Sequence, residues 1–327
     1  MHGGATSMNY RERSEDRSIE EVRPDSASDR TERLICLIRE ISAQDKTEII
    51  QLLIPELMRM SRETFLHLRQ SAPRFSTSEW PWLSGTKPDT LTMQDANRFL
   101  CACILELNAG KTDVWANTEY FVHEILEDPE NLWRSILLHS PEGWADQFWE
   151  YDLHPEPAVH TRLYEIASLM VRYYHGDARQ IWADYLSSPH EVFRRIKVLG
   201  VPRSTACLIT GALKDEHYLE GVFDIVGDVV DSRVLGRIAC GEGTGLTSYQ
   251  ARILGKMISA EDPWILDRPL YVLGMSYCGP GPRCRRCPVH ERCIYAVSAD
   301  LGITVGKKIY EGLFGQKTVQ KSLKRWL

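Results

Sequence analysis

The stretch SSPHEVFRRIKVLGVPRSTACLITGAL, Ser187 to Leu213, decides how the rest of the chain is read. Ser188, Pro189 and Glu191 spell an N-cap, a first-turn proline and a capping-box acid, so the pattern predicts a helix that starts there and runs to about Val198. Gly200 allows a tight turn, and from Arg203 a second helix presents Ala206, Ile209 and Leu213 on one side. By geometry alone this helix, hairpin, helix unit is an ordinary helical corner. It is also a shape in which backbone amides at the start of the second helix grip a nucleic-acid phosphate without reading sequence.

Two further stretches carry chemistry. CGPGPRCRRCPVHERC sets Cys278, Cys284, Cys287 and Cys293 at C-x5-C-x2-C-x5-C, with Gly and Pro to turn the chain tightly. Four unrelated thiols at that density are improbable. The spacing suits a structural zinc held by four thiolates or a [4Fe-4S] cluster, and does not separate the two. Arg283, Arg285 and Arg286 protrude from the same loop, a cationic surface suited to phosphate. Between hairpin and cysteines lies EGVFDIVGDVVDSRVLGRIACGEG, Glu220 to Gly243. With Asp224 as N-cap, Val226, Val230, Val234 and Ile238 form an i+4 ladder that stops before Gly241. Alone, such an Asp is most simply a cap.

Composition bounds the setting. With 327 residues, 43% of them hydrophobic, the chain can bury one large core or two smaller ones joined together. No run of eighteen apolar residues exists and MHGGATSMNYRERSEDRS has no apolar segment. Neither a membrane span nor a secretory signal is expected, and the protein is expected to be intracellular, in the cytoplasm and nucleoid or the nucleus. Five of the nine cysteines (Cys36, Cys101, Cys103, Cys207, Cys240) stand singly or in apolar helical stretches, which argues against a disulfide framework. A net charge of −6 excludes coating nucleic acid by bulk charge and leaves room for a local basic face.

Residues 1–33 read as a disordered lead and 34–91 as an N-terminal helical extension, with Pro55 breaking or kinking TEIIQLLIPELMRM and with Trp80 and Trp82 anchoring an irregular connection. A long series of helical stretches follows to residue 296, and 297–327 read as a basic tail in which Lys307, Lys308, Lys317, Lys321, Lys324 and Arg325 stand against Glu311. No stretch alternates as a strand does. The expected class is all-α.

Read in this order, the three stretches resemble the helix-hairpin-helix superfamily of DNA glycosylases, in particular its endonuclease III and adenine glycosylase branches. The family hairpin of type L-P-G-V-G-[RK]-[KS]-T-A is matched by VLGVPRSTA, with Ser204 at the Lys/Ser position; Asp224 lies twenty residues on, Val230 and Arg233 fall on a Val and an Arg that follow the family's catalytic Asp, and the cysteine loop comes next. The resemblance implies a two-lobed fold, with residues 92–214 as the hairpin-bearing lobe and 215–296 as the cluster lobe that the N-terminal helices join, a [4Fe-4S] cluster on the four cysteines, and a monomer acting on double-stranded DNA. It gives Asp224 and Ser204 the catalytic positions, with Asp231 as rival and Asp228 behind it. Gly200, Val201, Arg203 and Thr205 become phosphate contacts, Asn108 fills the gap left by an extruded base, and Leu153 wedges the duplex.

The implied activity is hydrolytic excision of a damaged, mismatched or modified base. Bifunctional relatives form a Schiff base through a Lys amine; Ser204 has none, so an abasic site without efficient strand cleavage is expected. The base-protonating Glu of the adenine glycosylase branch would fall at Ile104, with Glu106 two residues away. Pro202 replaces the hairpin's second Gly and removes an N–H. The alternative is a non-catalytic iron–sulfur DNA-binding protein of the same fold.

Overall fold

Apolar residues at three- and four-residue spacing form helices throughout the computed structural model, which describes residues 27–76, 80–106, 113–154, 158–242 and 246–315; no strand occurs among them. Two helices open the chain, α1 (Ala27–Ala43) and α2 (Thr47–Ser71). Seven follow: α3 (Met93–Leu105), α4 (Val114–Tyr120), α5 (Leu132–Ile136), α6 (Pro141–Glu150), α7 (Val159–Tyr174), α8 (Pro189–Val198) and α9 (Arg203–Asp215). The last five are α10 (Val229–Leu235), α11 (Ser248–Ile258), α12 (Asp267–Ser276), α13 (Ile294–Asp300) and α14 (Gly306–Phe314).

Their buried faces build two cores. Phe99, Leu100, Trp133, Trp144, Ile166 and Ile209 belong to one, made by α3 to α9. The other joins both ends of the chain: Ile38, Leu57 and Phe65 from α1 and α2 pack with Leu235, Leu254, Leu270 and Ile309. Each such side chain contributes about 1.5–3 kcal/mol by leaving water. A small cluster of Cys207, Phe223 and Trp264 bridges the two. The chain thus starts in one core, builds the other and returns to the first.

Buried polar groups are matched where they matter. Asn97 on α3 accepts from Trp133 Nε1 at 2.8 Å and from the amide of Ala178 at 2.9 Å, and donates to the Gly176 carbonyl at 2.8 Å. One side chain therefore ties α3 to α5 and to the left-handed turn that ends α7, where His175 and Gly176 have φ of 52° and 80°.

Several boundaries differ from the expectation. Helix α1 begins at Ala27, inside the stretch read as a disordered lead, and α2 runs through Pro55, which lies on its exposed side. Leu83 and Leu91, assigned to the N-terminal extension, are buried in the first core. Residues 297–315 are not a solvated tail. Ile309 and Leu313 of α14 are buried, Gly312 lies against Ile50 and Ile54 of α2, and Lys308 Nζ donates to the carbonyls of Ser42 in the last turn of α1 and of Gln44 just past it. Positive charge masked an apolar face at i and i+4. Lys317, Lys321, Lys324 and Arg325 lie outside the described residues. No helix is long and apolar enough to cross a membrane among the residues described.

Replacing Asn97 by Ala strands two donors and an acceptor in the core. Since each stranded group costs about 1–3 kcal/mol, urea unfolding of Asn97→Ala should show a loss of at least ~3 kcal/mol without a change of fold.

Candidate functional site

The hairpin forms where the spacing predicts it. Helix α8 ends at Val198, Gly200 turns with φ of 87°, and α9 begins at Arg203 after Pro202. The capping box at its start is absent: the Ser188 side chain makes no cap bond and Glu191 accepts from Arg194 Nη2 at 2.6 Å. The first turn-closing bond of α9 runs from the Ala206 amide to the Pro202 carbonyl, which leaves the amides of Arg203, Ser204 and Thr205 without a helical acceptor. Ser204 is exposed and Arg203 lies 5.0 Å over the Phe193 ring. The side chains of Val201 and Thr205 are buried, so these two residues offer only backbone. Lys197 Nζ donates to the Val201 carbonyl at 2.6 Å and closes that face of the turn.

Beyond the hairpin, residues 223–228 run without helical structure from the small bridging cluster to α10. The Trp264 amide donates to the Phe223 carbonyl at 2.9 Å, the Val226 amide to Asp267 Oδ1 at 3.2 Å, and the Gly227 amide to Asp231 Oδ2 at 2.8 Å. Gly227 has φ of 68°, a left-handed residue that no helix passes through. Asp224 is therefore not a helix cap. It is 7% exposed and pairs with Lys256 Nζ at 3.3 Å. The cap is Asp228, whose Oδ1 accepts from the amides of Val230 and Asp231 at 2.7 and 2.8 Å and whose side chain faces solvent. Asp231, one turn in, is buried; that burial, with Asp267 and Asp228 nearby, pushes its carboxyl well above the usual range.

From Asp228 the helix leads to the cysteines. Helix α10 ends in a wider turn over Gly236–Cys240 and stops at Gly241, as expected. Arg233 Nε donates to the Cys278 carbonyl at 2.8 Å. One turn on, Arg237 reaches the carbonyls of Gly279 at 2.7 Å and Pro280 at 3.2 Å, and Cys278 Sγ at 3.3 Å. Cys278, Cys284, Cys287 and Cys293 all line one small pocket beneath that loop. Burial pushes the Cys293 thiol up to about 12 and the Cys287 thiol up to about 11, while backbone amides aimed at both sulfurs act in the opposite sense. Arg283, Arg285 and Arg286 are exposed around it. No three His, Cys, Asp or Glu side chains among the described residues converge closely enough to hold a single metal ion.

A cavity of about 290 Å³ opens between the lobes, lined by Trp80, Trp115, Trp264, Glu106, Asp215 and Asp267 among others. Asp215 accepts from the indole N–H of Trp80 at 3.3 Å and of Trp264 at 2.8 Å. Burial raises the carboxyls of Asp215, Glu106 and Asp267, the last to about 7. Asp228 is close enough to Asp267 for its charge to contribute to that shift. A larger recess of about 660 Å³ lies beside α7 and α8, lined by Tyr173, Tyr174 and Arg195, but none of the groups around Asp228 reaches it.

Of the residues expected to meet a duplex, Leu153 is 1% exposed and fixed by Asn117, which donates to its carbonyl at 3.1 Å, so it cannot enter a base stack. Trp149, in the turn before it, is 89% exposed. Asn108 lies outside the described residues. Ile104 is buried in the core; Glu106 stands at the cavity instead. No family model, curated protein or solved structure matches the chain.

Gly211 of α9 lies under Trp264, and a Cβ there would sit 1.9 Å from the ring. Gly211→Ala should displace Trp264 from Asp215, lower stability by about 1–3 kcal/mol in urea unfolding and shift the tryptophan emission.

Proposed function

We propose that the chain is a monofunctional DNA N-glycosylase of helix-hairpin-helix type, which extrudes a damaged, mismatched or modified base from double-stranded DNA and removes it by hydrolysis. The observation that carries this reading is the position of Asp228: an accessible carboxylate on a helix start, near enough for its charge to act on Asp267 of the cavity wall, and linked through its own helix to the cysteine pocket. The carboxylate is Asp228 rather than Asp224 or Asp231, since Asp224 is shielded by Lys256 and Asp231 is buried.

Breaking an N-glycosidic bond builds positive charge on the sugar. A carboxylate held rigidly beneath C1′ by two amides stabilises that charge and orients the attacking water. The base must first leave the stack, and the indole-walled cavity is of a size and chemistry to receive it. The free amides of Arg203, Ser204 and Thr205 with the exposed Arg283, Arg285 and Arg286 would hold phosphates on either side. Ser204 at the hairpin supplies no amine for a Schiff base, so the product is an abasic site in an unbroken strand.

The four cysteines line one common pocket, with Arg237 and nearby amides as donors to the sulfurs, a setting that suits a [4Fe-4S] cluster held by four thiolates. Bound there, the cluster would pin the arginine-bearing loop.

The test is base release from a panel of modified duplexes, with abasic sites revealed by alkali. Asp228→Asn should lose at least ~100-fold in rate while Asp224→Asn retains measurable release. The reverse pattern would return the role to Asp224, and wild-type protein that binds duplex but releases nothing would favour the non-catalytic binding protein. The protein as purified without oxygen should be brown with broad visible absorption, and Cys284→Ser should abolish the colour; a colourless protein containing zinc would overturn the cluster assignment.

A further inference from the structure

Asp231 is 4% exposed, yet its carboxyl is engaged: Oδ2 accepts from the Gly227 amide at 2.8 Å, and the Asp228 amide acts on the same carboxyl in the same sense. In return the Asp231 amide donates to Asp228 Oδ1 at 2.8 Å. This is the reciprocal exchange of a capping box, with Asp228 as N-cap and an acid three residues on that reaches back over the turn. Acidic side chains mostly stand in water. A cap contributes about 1 kcal/mol, less than a carboxyl loses on leaving water, so capping alone does not explain why this one is buried.

A second carboxyl, from α12, acts on the same turn. Asp267 Oδ1 accepts from the Val226 amide at 3.2 Å, so three successive amides, at 226, 227 and 228, end on two carboxyls from different helices. Gly227 has φ of 68°, and α11 presses on it: an added Cβ would stand 3.0 Å from the Ser248 carbonyl oxygen and 3.1 Å from Arg252 Cγ. The turn is therefore held by three helices, and the Asp228 side chain leaves it with Oδ1 fixed by the amides of Val230 and Asp231.

We infer that Asp231 is a positioning residue for Asp228: it holds the amides that lead into the helix start and through them fixes where the Asp228 carboxylate points. That this direction serves a reaction at a sugar rests on the excision reading; the grip on Asp228 does not. Asp231 is too deep to touch a sugar itself. Burial, with the charges of Asp267 and Asp228 nearby, favours its neutral form. An amide side chain of the same shape reproduces that neutral acceptor, whereas an apolar side chain strands the Gly227 amide.

The experiment uses the full chain and three variants, Asp231→Asn, Asp231→Ala and Asp231→Leu, the last filling the space that Ala leaves empty. Hydrogen exchange at single amides is the first readout. The amides at 230 and 231 bond to Asp228 and not to the substituted side chain, so they report how firmly its carboxylate is held. They should exchange at least about tenfold faster in Asp231→Ala and Asp231→Leu, with the amides of α3 as an unaffected reference, and close to the wild-type rate in Asp231→Asn. Base release is the second readout: kcat should fall at least about tenfold in Asp231→Ala and Asp231→Leu with KM within about twofold, and Asp231→Asn should recover most of the rate. Unchanged exchange at 230 and 231 in Asp231→Leu, or an unchanged kcat, overturns the inference. So does a loss in Asp231→Asn as complete as in Asp228→Asn, which would make Asp231 the reacting carboxylate. Faster exchange in Asp231→Leu, with no base released from any duplex by the wild-type protein, overturns the excision reading and keeps the grip.

Discussion

A guanidinium buried to 4% exposure needs acceptors, and in this chain those that Arg237 finds for Nη1 and Nη2 come from one turn, Cys278 to Pro280. Leaving that charge unmatched would cost several kcal/mol, so α10 and the cysteine loop cannot be arranged independently. The helix that the loop grips at one end is the helix that Asp228 caps at the other. The direction of the exposed carboxylate is thus set by contacts two turns away. Gly274 adds to this by letting α12 approach α10 so closely that a Cβ would meet Val230.

How much of this could be read from sequence depended on whether the deciding chemistry was local. The hairpin was legible because Gly200 and Pro202 act on their own neighbours, and the stop before Gly241 for the same reason. The cysteine loop was legible because its ligand spacing is short. The start of α10 was not: Asp224, Asp228 and Asp231 are all acceptable caps, and what separates them is the left-handed turn at Gly227 and two amides that donate to Asp267 and Asp231. Those partners come from elsewhere in the fold or from the far side of the cap. Residues 297–315 were misread because charge outweighed the i, i+4 pair of Ile309 and Leu313. The cavity had no sequence signal at all, since Trp80 and Tyr271 are nearly two hundred residues apart; the i, i+4 arginines at 233 and 237 did carry one, had the loop been considered as their partner.

The cysteines divide by environment in a way that composition only hinted at. Cys101, Cys207 and Cys240 are buried among apolar side chains, each with a thiol pushed up to about 12, and behave as core residues. The four of the loop share a pocket with arginine and backbone donors at hand. Burial raises the Cys284, Cys287 and Cys293 thiols as it raises those of the core, and what sets the loop apart is the arginine and the amides that face its sulfurs.

The double grip of Asp215 on Trp80 and Trp264 has a mechanical meaning. Trp80 packs on the core of α3 to α9, whereas Trp264 sits in the bridge to the other lobe. One carboxyl group therefore links two walls of the cavity that come from different clusters. Neither indole can turn away without leaving an oxygen of Asp215 unpaired, so the spacing of two cavity walls is held by one side chain.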